Sequence, residues 1–448
     1  MNNETTIEFV NHASVLVSSG NTGILSDPWY SGEVFHKGWR LIYENDKDYI
    51  YQILDRTSYI FISHEHPDHF SPRFFVDPII KKKIIEKKIT FLFQRTKDKR
   101  VVNFLKQNGF IVEECAPEKK IVIRDGVEIE IVKHDFYDSS ISIKTSDMKI
   151  LNLNDCPLRD VSDIKKFRKN FGSFDVLLTQ FSYAAWKGGK SQKIVREKTA
   201  REKLESICKQ AKILNCKTVI PFASFVYFSN QMNFYMNDSV NTPHKVEKYL
   251  TENNINTVIL MPGEKQVLKD LKQNKNSLEF WKSKYEFEKK NKKIDVYDVS
   301  RSLENLKNDF DLYQKRIFRK NSKILIYFLN KIKIFNILQD INIFLTDHGR
   351  NYKYSILTGL KETNDQNYHI LMHSKSLSFL FKNEFGFDTL TVNGCFECES
   401  KNFSKISKIL AIGSLNALGL KLNLNILFNL NVIILFLKKL IVFLRKLK

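Results

Sequence analysis

Between residues 63 and 69 the chain reads Ser63-His64-Glu65-His66-Pro67-Asp68-His69, which places three of its ten histidines and an aspartate in one short loop. Imidazoles and carboxylates ligate Zn2+ and Fe2+, and histidines two apart on extended backbone point the same way. His64 and His66 can therefore grip one ion from one side, while Asp68 and His69, past the bend at Pro67, face a neighbouring position. Packed together without a cation, such groups would suffer desolvation and, when protonated, mutual repulsion. The competing reading is a polar surface loop that happens to be rich in histidine. The apolar run Tyr59-Ile60-Phe61-Ile62 ahead of the loop and Pro72 behind it favour the metal, because they set the loop between a buried strand and a helix start.

Two candidates lie downstream. His134 follows the strand pattern of Val127 to Lys133, and Asp155 follows Ile150-Leu151-Asn152-Leu153-Asn154. Taken alone, His134 reads equally as a structural hydrogen-bonder and Asp155 as an Asn-Asp turn before Pro157.

The elements that must position these groups are mostly strands up to residue 160. Residues 6–10, 14–17 and 22–26 predict three strands, the last ending at Asp27-Pro28-Trp29. Beyond the histidine loop, Pro72 to Lys88 and Lys97 to Asn108 predict helices around a strand at Thr90 to Phe93. Helix and strand then alternate to about residue 270, with a long charged helix over Glu197 to Asn215.

A chain of 448 residues is long enough for two or three domains, and 43% hydrophobic with 27% charged residues is the composition of a folded globular protein. Its polar start, Met1 to Thr6, runs straight into a strand pattern without a basic-then-apolar leader, so a cytoplasmic protein is expected. Six scattered cysteines exclude a disulfide framework, and Cys395-Phe396-Glu397-Cys398 lacks the second pair a structural zinc needs. A formal charge of +21 would suit nucleic acid or an anionic membrane. The excess is lysine spread along a chain also rich in asparagine and isoleucine, with no aromatic RNA-binding motif or basic reading helix, so nucleic acid is not expected.

Taken together, His64-Glu65-His66-Pro67-Asp68-His69, His134 and Asp155 resemble the metallo-β-lactamase superfamily. Asn11-His12-Ala13-Ser14 and Leu25-Ser26-Asp27-Pro28-Trp29 are similar to one branch of it. That branch holds ascorbate-6-phosphate lactonase-like hydrolases and the hydrolase-fold part of CMP-N-acetylneuraminate hydroxylase. The resemblance spans about residues 5 to 265 and implies an α/β fold, an αββα sandwich with metal at one edge between two sheets. It further implies His64, His66 and His134 on a first ion, Asp68 and His69 on a second, and Asp155 bridging. Asp27 would brace the ligand loop from behind, since ligand imidazoles require an oriented partner on the other nitrogen. Many relatives close a later strand with Ile-Pro-Met-His-Tyr. The matching run here is Val219-Ile220-Pro221-Phe222-Ala223-Ser224, and alanine cannot ligate. His244 follows in Asn241-Thr242-Pro243-His244, so one ion, or two with a weak second site, both stay open. His12 and His36 are candidates for a place behind the ligands or in the pocket.

The chemistry expected is that of a metal-dependent hydrolase acting through metal-bound hydroxide on a small polar substrate, with one or two ions of zinc, alternatively iron or manganese. Moving the pKa of water from ~15.7 to ~7 is worth about 12 kcal/mol of proton release, more than side chains alone readily supply. Asp68 would orient the hydroxide or carry a proton to the leaving group. Trp29, Trp39, Tyr183, Trp186 and Tyr227, with amides such as Asn233, would suit a sugar or nucleotide-sugar, although each reads as readily as core. One alternative is an iron oxygenase component akin to the hydroxylase, whose Rieske cluster needs Cys-x-His and Cys-x-x-His, absent from this sequence. Another is a non-catalytic binding protein that keeps metal for structure.

The expected organisation is a catalytic domain over 1–267, a charged helical linker over 268–299, a small α+β domain over 300–418 and a basic apolar helix over 419–448. In the α+β part, 355–357, 369–372 and 390–392 predict strands and Ser374 to Phe385 a helix closed by Gly386. The terminal apolar run is too short to span ~30 Å of hydrocarbon. It is expected in-plane on an anionic inner leaflet, making the protein peripheral there, or docked on the domain or on another subunit of a homo-oligomer.

Overall fold

The computed structural model describes residues 4–134, 137–331 and 337–423, with backbone alone over 287–291. Residues 424–448, and with them nearly all of the helix expected over 419–448, lie outside the described residues. The chain divides into two compact units. The first runs to Ala184 and takes in Ile194–Ser229 and Met236–Ile294. The second comprises Ala185–Lys193, Asn230–Tyr235 and the chain from Asp295 onward.

In chain order the first unit forms β1 (Thr6–Asn11), β2 (Ser14–Ser19), β3 (Thr22–Ser26), β4 (Trp39–Leu41), α1 (Lys47–Asp55), β5 (Tyr59–Ile62), α2 (Pro72–Val76) and α3 (Pro78–Glu86). Next come β6 (Thr90–Gln94), α4 (Arg100–Gln107), β7 (Ile111–Cys115), β8 (Lys120–Val122), β9 (Glu128–His134), β10 (Asp138–Lys144) and β11 (Lys149–Asn154). It closes with α5 (Val161–Phe171), β12 (Val176–Gln180), α6 (Lys193–Leu214), β13 (Thr218–Phe222), β14 (Val226–Phe228), α7 (Pro243–Glu252), β15 (Lys265–Val267) and α8 (Lys275–Asn291).

Seven strands make one sheet in the order β15-β1-β2-β3-β5-β6-β7, and six make a second, β13-β12-β11-β10-β9-β8. Each sheet begins as antiparallel hairpins and ends as a parallel block, β3-β5-β6-β7 in one and β11-β12-β13 in the other. Parallel neighbours need a crossover, and α1, α2 with α3, α4, α5 and α6 supply them. Ile53, Leu54, Ile84 and Leu105 of these helices pack on Leu25, Ile60 and Phe91 of the first sheet in one apolar core. On the second sheet Phe167 of α5 meets Phe174, and Thr179 donates to Gln210 of α6. The inner faces meet where Ser139 Oγ donates to the Ser63 carbonyl at 2.6 Å and where Phe9 sets its edge on Phe225 at 5.1 Å. The layers are therefore helix, sheet, sheet, helix, the expected αββα sandwich.

This topology brings the carboxyl ends of β3, β5, β11 and β13 to one edge, and with them Asp27, Ser63, Asp155 and Ala223. Ligands of open α/β sheets bind outside such strand ends. Two local expectations change. The helix expected over Pro72 to Lys88 breaks at Asp77-Pro78, because Pro78 cannot donate and the Asp77 carboxylate caps a new helix through the Ile79 and Ile80 amides. Residues 268–299 are no exposed linker: Trp281 of α8 is buried, stacks on Phe225 at 4.1 Å and donates to the Leu260 carbonyl.

The second unit holds α9 (Leu303–Lys320), α10 (Lys323–Lys331), β16 (Ile341–Leu345), β17 (Arg350–Ser355), β18 (Gly359–Glu362), β19 (Ile370–Met372), α11 (Ser374–Lys382), α12 (Gly386–Asn393), β20 (Phe396–Glu397), α13 (Ser400–Leu410) and α14 (Ile412–Ala417). Its sheet runs β18-β17-β16-β19-β20, and Phe310, Tyr354 and Phe381 form an aromatic core beneath α9 and α11. Residues 390–392 are helical in α12 rather than a strand, and α11 ends at Lys382, short of Phe385. Gly386 does not close α11. A Cβ there would fall 2.5 Å from the Leu380 Cα, so glycine is required for close approach of two backbones. Cys395 and Cys398 are buried free thiols pushed up to about 12 by burial, which makes them inert. Among the described residues no helix is long and apolar enough to cross a membrane.

Candidate metal centre

At the edge described above, two groups of three ligating side chains assemble. His64, His66 and Asp155 form one, and His12, Asp68 and His69 the other, with the ligand atoms of each group within 4.8 Å of one another. His64 and His66 follow β5, and the period-two rule holds: His64 Nε2 lies 2.9 Å from His66 Nδ1. Asp155 Oδ2 is 3.8 Å from His64 Nε2 and 3.7 Å from His69 Nε2, so one carboxylate oxygen faces both groups. A register shift between Asn152 and Asn154 in the β11–β12 pairing, with Asn154 at φ 43°, turns Asp155 into this position.

Asp27 sits behind the histidine loop. Its Oδ1 accepts from the Ser63 amide at 2.8 Å, and its Oδ2 from Ser63 Oγ at 2.8 Å. The same Oδ2 lies 3.0 Å from His69 Nδ1, which orients Nε2 toward Asp68 and Asp155. Ser63 Oγ also reaches His64 Nδ1 at 3.0 Å, so a single serine ties two ligand imidazoles to one aspartate.

His12 lies within the second of these groups, with Nε2 3.3 Å from Asp68 Oδ2. The β1–β2 turn delivers it, at φ 37°, after a bulge between Phe9 and Asn11. His244, by contrast, is the second residue of α7 and joins neither group.

His134 Nε2 lies 2.9 Å from Ser140 Oγ and its ring stacks on Phe167 of α5 at 5.8 Å, outside both groups. His134 lines a cavity of about 340 Å3 with Val132, Lys133, Lys166 and Phe171. Across the β9–β10 hairpin His134 pairs with Asp138, whose Oδ1 is 4.0 Å from His64 Nδ1. Tyr137 sets its ring 5.3 Å from that of His66. Neither Asp138 nor Tyr137 was singled out in the sequence; the hairpin offset of four residues from His134 was the available signal.

The aromatic candidates for substrate contact do not gather around the ligands. Trp29 touches one, edge-on to His12 at 5.5 Å, and it lines a cavity of about 250 Å3 with Tyr30, Lys47, Arg73 and Phe74. Trp39 is buried against Phe35 and Phe228. Tyr183 donates to the Met236 carbonyl, and Tyr227 donates to that of Lys293 at 3.2 Å. Trp186 stacks on Phe403 at 4.7 Å within the second unit, where Asn233 donates to the Asn393 carbonyl. The difference has a simple cause: large aromatic side chains bury most of their area wherever a core is at hand.

Electrostatically the centre suits a cation. Burial holds the His64 imidazole well below its ordinary pKa, so the ring is neutral, the form that a metal site requires. Burial also opposes ionisation of Asp68, yet His69, His12 and His66 together hold its carboxyl below the usual carboxylate range. Asp68 Oδ1 and Asp155 Oδ1 are buried without a hydrogen-bond partner among the described residues. Two orphaned carboxylate oxygens beside a cluster of imidazoles are costly in a protein interior, and a bound divalent ion removes that cost. The donor set is that of zinc, iron or manganese, and the two groups have capacity for one or two ions.

No family model matches the chain. Among curated proteins, cytidine monophosphate-N-acetylneuraminic acid hydroxylase of Danio rerio is 24% identical over 287 residues, covering 58% of this chain and 45% of the relative. The hydroxylase of Xenopus laevis is 26% identical over 274 residues, covering 56% and 41%. The inactive human hydroxylase is 23% identical over 273 residues, covering 56% and 51%. The chain thus spans about half the length of these relatives. Among solved structures, the diiron β-hydroxylase CmlA of Streptomyces venezuelae superposes with a TM-score of 0.42 at 14% identity, over 59% of this chain and 54% of that one. Igni18, a metallo hydrolase of Ignicoccus hospitalis, gives 0.41 at 16% identity, over 58% and 97%.

Proposed function

We infer that this chain, a metallo-β-lactamase-fold protein distantly related to the CMP-N-acetylneuraminic acid hydroxylases, is a metal-dependent hydrolase of a small polar substrate. The observation that carries the reading is the shared carboxylate: Asp155 Oδ2 stands within 3.8 Å of His64 Nε2 and within 3.7 Å of His69 Nε2, one donor between two groups. His64, His66 and Asp155 would hold one ion, and His12, Asp68 and His69 with Asp155 a second. Bound zinc, iron or manganese supplies Lewis acidity there and lowers the pKa of water toward ~7.

The remaining work falls to the chain. Asp27 fixes the His69 ring through Nδ1, and Ser63 holds Asp27 in turn, so the ligand geometry is set before anything binds. Asp68 engages His12 and His69 through Oδ2 and keeps Oδ1 available to orient a water or carry its proton to a leaving group. The low dielectric of the buried centre strengthens each of these interactions. A sugar or nucleotide-sugar substrate is the finer part of the proposal. It is supported by the names of the relatives and by Trp29, which joins the ligand shell at His12 to an aromatic cavity carrying Lys47 and Arg73.

A second reading, an iron oxygenase component, is favoured by those same relatives being hydroxylases. The two separate on one experiment. Protein purified without added metal is analysed for metal and assayed on ester, lactone, phosphodiester and nucleotide-sugar panels. Turnover that needs only water, disappears with chelator and returns with metal supports hydrolysis. Turnover that needs dioxygen and a reductant and tracks iron overturns it, and full metal content with no turnover leaves a binding protein.

A further inference from the structure

The second unit carries a surface with a chemistry of its own. α10 reads Lys323-Ile324-Leu325-Ile326-Tyr327-Phe328-Leu329-Asn330-Lys331, a helix with six consecutive apolar residues. So apolar a helix ordinarily belongs in a core. Here Ile326 alone of the six is fully buried, whereas Ile324, Tyr327 and Phe328 are 67%, 53% and 54% exposed. Positions i, i+3 and i+4 form one stripe, and Lys331 continues it by a turn.

Basic charge frames the stripe. Lys331 Nζ lies 5.8 Å over the Tyr327 ring, and Lys323 Nζ lies 5.6 Å from the Phe318 ring. From Leu312 to Gln339 the sequence has seven lysines and arginines and no acidic residue. The Ser322 amide donates to the Leu422 carbonyl, which brings Lys421 and exposed Leu420, from a second acid-free stretch, to the first turn of α10. The acids that approach are already engaged. Glu384 pairs with Lys320 at 2.6 Å, and Asp340 pairs with Lys353 at 3.3 Å and accepts from Asn330.

We propose that α10 docks the protein on an anionic bilayer, with the Ile324–Tyr327–Phe328 stripe in the headgroup boundary and Lys323 and Lys331 on lipid phosphates. An apolar stripe edged by lysines and carrying aromatic residues is the composition of an in-plane interfacial helix. Anionic lipid complements the charge. A second copy of this chain would set one acid-free face against another and be repelled. The proposal is independent of the metal centre.

Co-sedimentation of the full chain with vesicles tests it. Binding to phosphatidylcholine with phosphatidylglycerol should exceed binding to phosphatidylcholine alone by about tenfold or more and should weaken in high salt. The full-chain double variant Ile324→Glu, Phe328→Glu should lose about tenfold in vesicle affinity with metal content and melting temperature unchanged, because both side chains are exposed. Lys323→Glu with Lys331→Glu should abolish the preference for anionic lipid. Wild-type protein that ignores anionic vesicles overturns the proposal, and so does a glutamate variant that binds like wild type. A wild-type dimer that the glutamate variant dissolves, with no vesicle binding, assigns the face to a second copy instead.

Discussion

The backbone amide of Ala223 donates to the carbonyl of His12 over 2.6 Å, tying the end of β13 to the β1–β2 turn across the sandwich. Ala223 stands where proteins of the resembling family close a strand with histidine, and its φ of 52° is the left-handed region. The strand end therefore braces a turn, and the turn delivers His12 to Asp68 and His69. The second group is three-membered by this route, without a histidine from β13.

His12→Ala should release one metal equivalent from a protein that binds two, because Asp68 and His69 then keep only Asp155 for company. Turnover should fall at least ~100-fold, as loss of a ligand changes both geometry and charge. His244→Ala should leave metal content unchanged. Elemental analysis of the two variants decides between them, and loss of metal in His244→Ala alone would place His244, and not His12, on the metal.

Asp27→Asn tests the support behind the ligands. Oδ2 accepts from Ser63 and meets His69 Nδ1, and an amide in its place either points a donor at the ring or leaves Ser63 unpaired. Metal affinity should drop ~10- to 100-fold, read by competition with a chromophoric chelator. An unchanged affinity would mean the His69 ring is fixed by its other contacts.

Much of this arrangement was legible because it is local. The histidine loop and the strand before it follow from spacing and period, whereas the roles of the aspartates at two strand ends came only with the family resemblance. What was not legible depended on register. The bulge between Phe9 and Asn11 aims His12 inward, and no residue type in Asn11-His12-Ala13-Ser14 announces it. His134 sits at the strand end where a ligand was expected, but its ring stacks on Phe167, while Asp138, its partner across the hairpin, comes within 4.0 Å of His64. Which side chain at a hairpin end reaches a site depends on its neighbours in three dimensions, and spacing along the chain does not carry that. In the second unit, Leu390-Thr391-Val392 is helical despite its β-propensity, which tertiary context routinely overrides.

His134→Ala follows from that placement. The variant should keep full metal content and turnover within about threefold of wild type, while losing the stack on Phe167 and the bond to Ser140, worth ~1–2 kcal/mol of stability. Thermal melting and metal analysis on the same sample separate the two effects. Metal lost in proportion to activity would place His134 back among the ligands.

Proton release on metal binding gives the sharpest solution test. In the metal-free protein burial works against a charged His69, but Asp68, Asp155 and Asp27 push its pKa up to about 10. The folded value lies above the ordinary 6.5, so the protonated ring stabilises the metal-free protein fully below pH 6.5, and this contribution is lost as pH rises toward 10. His64 is held neutral by burial and has no proton to give. Metal binding near neutral pH should therefore expel about one proton at this site, and affinity should rise about tenfold per pH unit up to the His69 pKa. Titration calorimetry in two buffers of different ionisation enthalpy counts the proton. The metal-free protein should also melt at lower temperature in mild alkali than at neutrality, a slope that His69→Gln removes. Metal binding that releases no proton and is flat with pH would show that the carboxylates do not hold His69 charged.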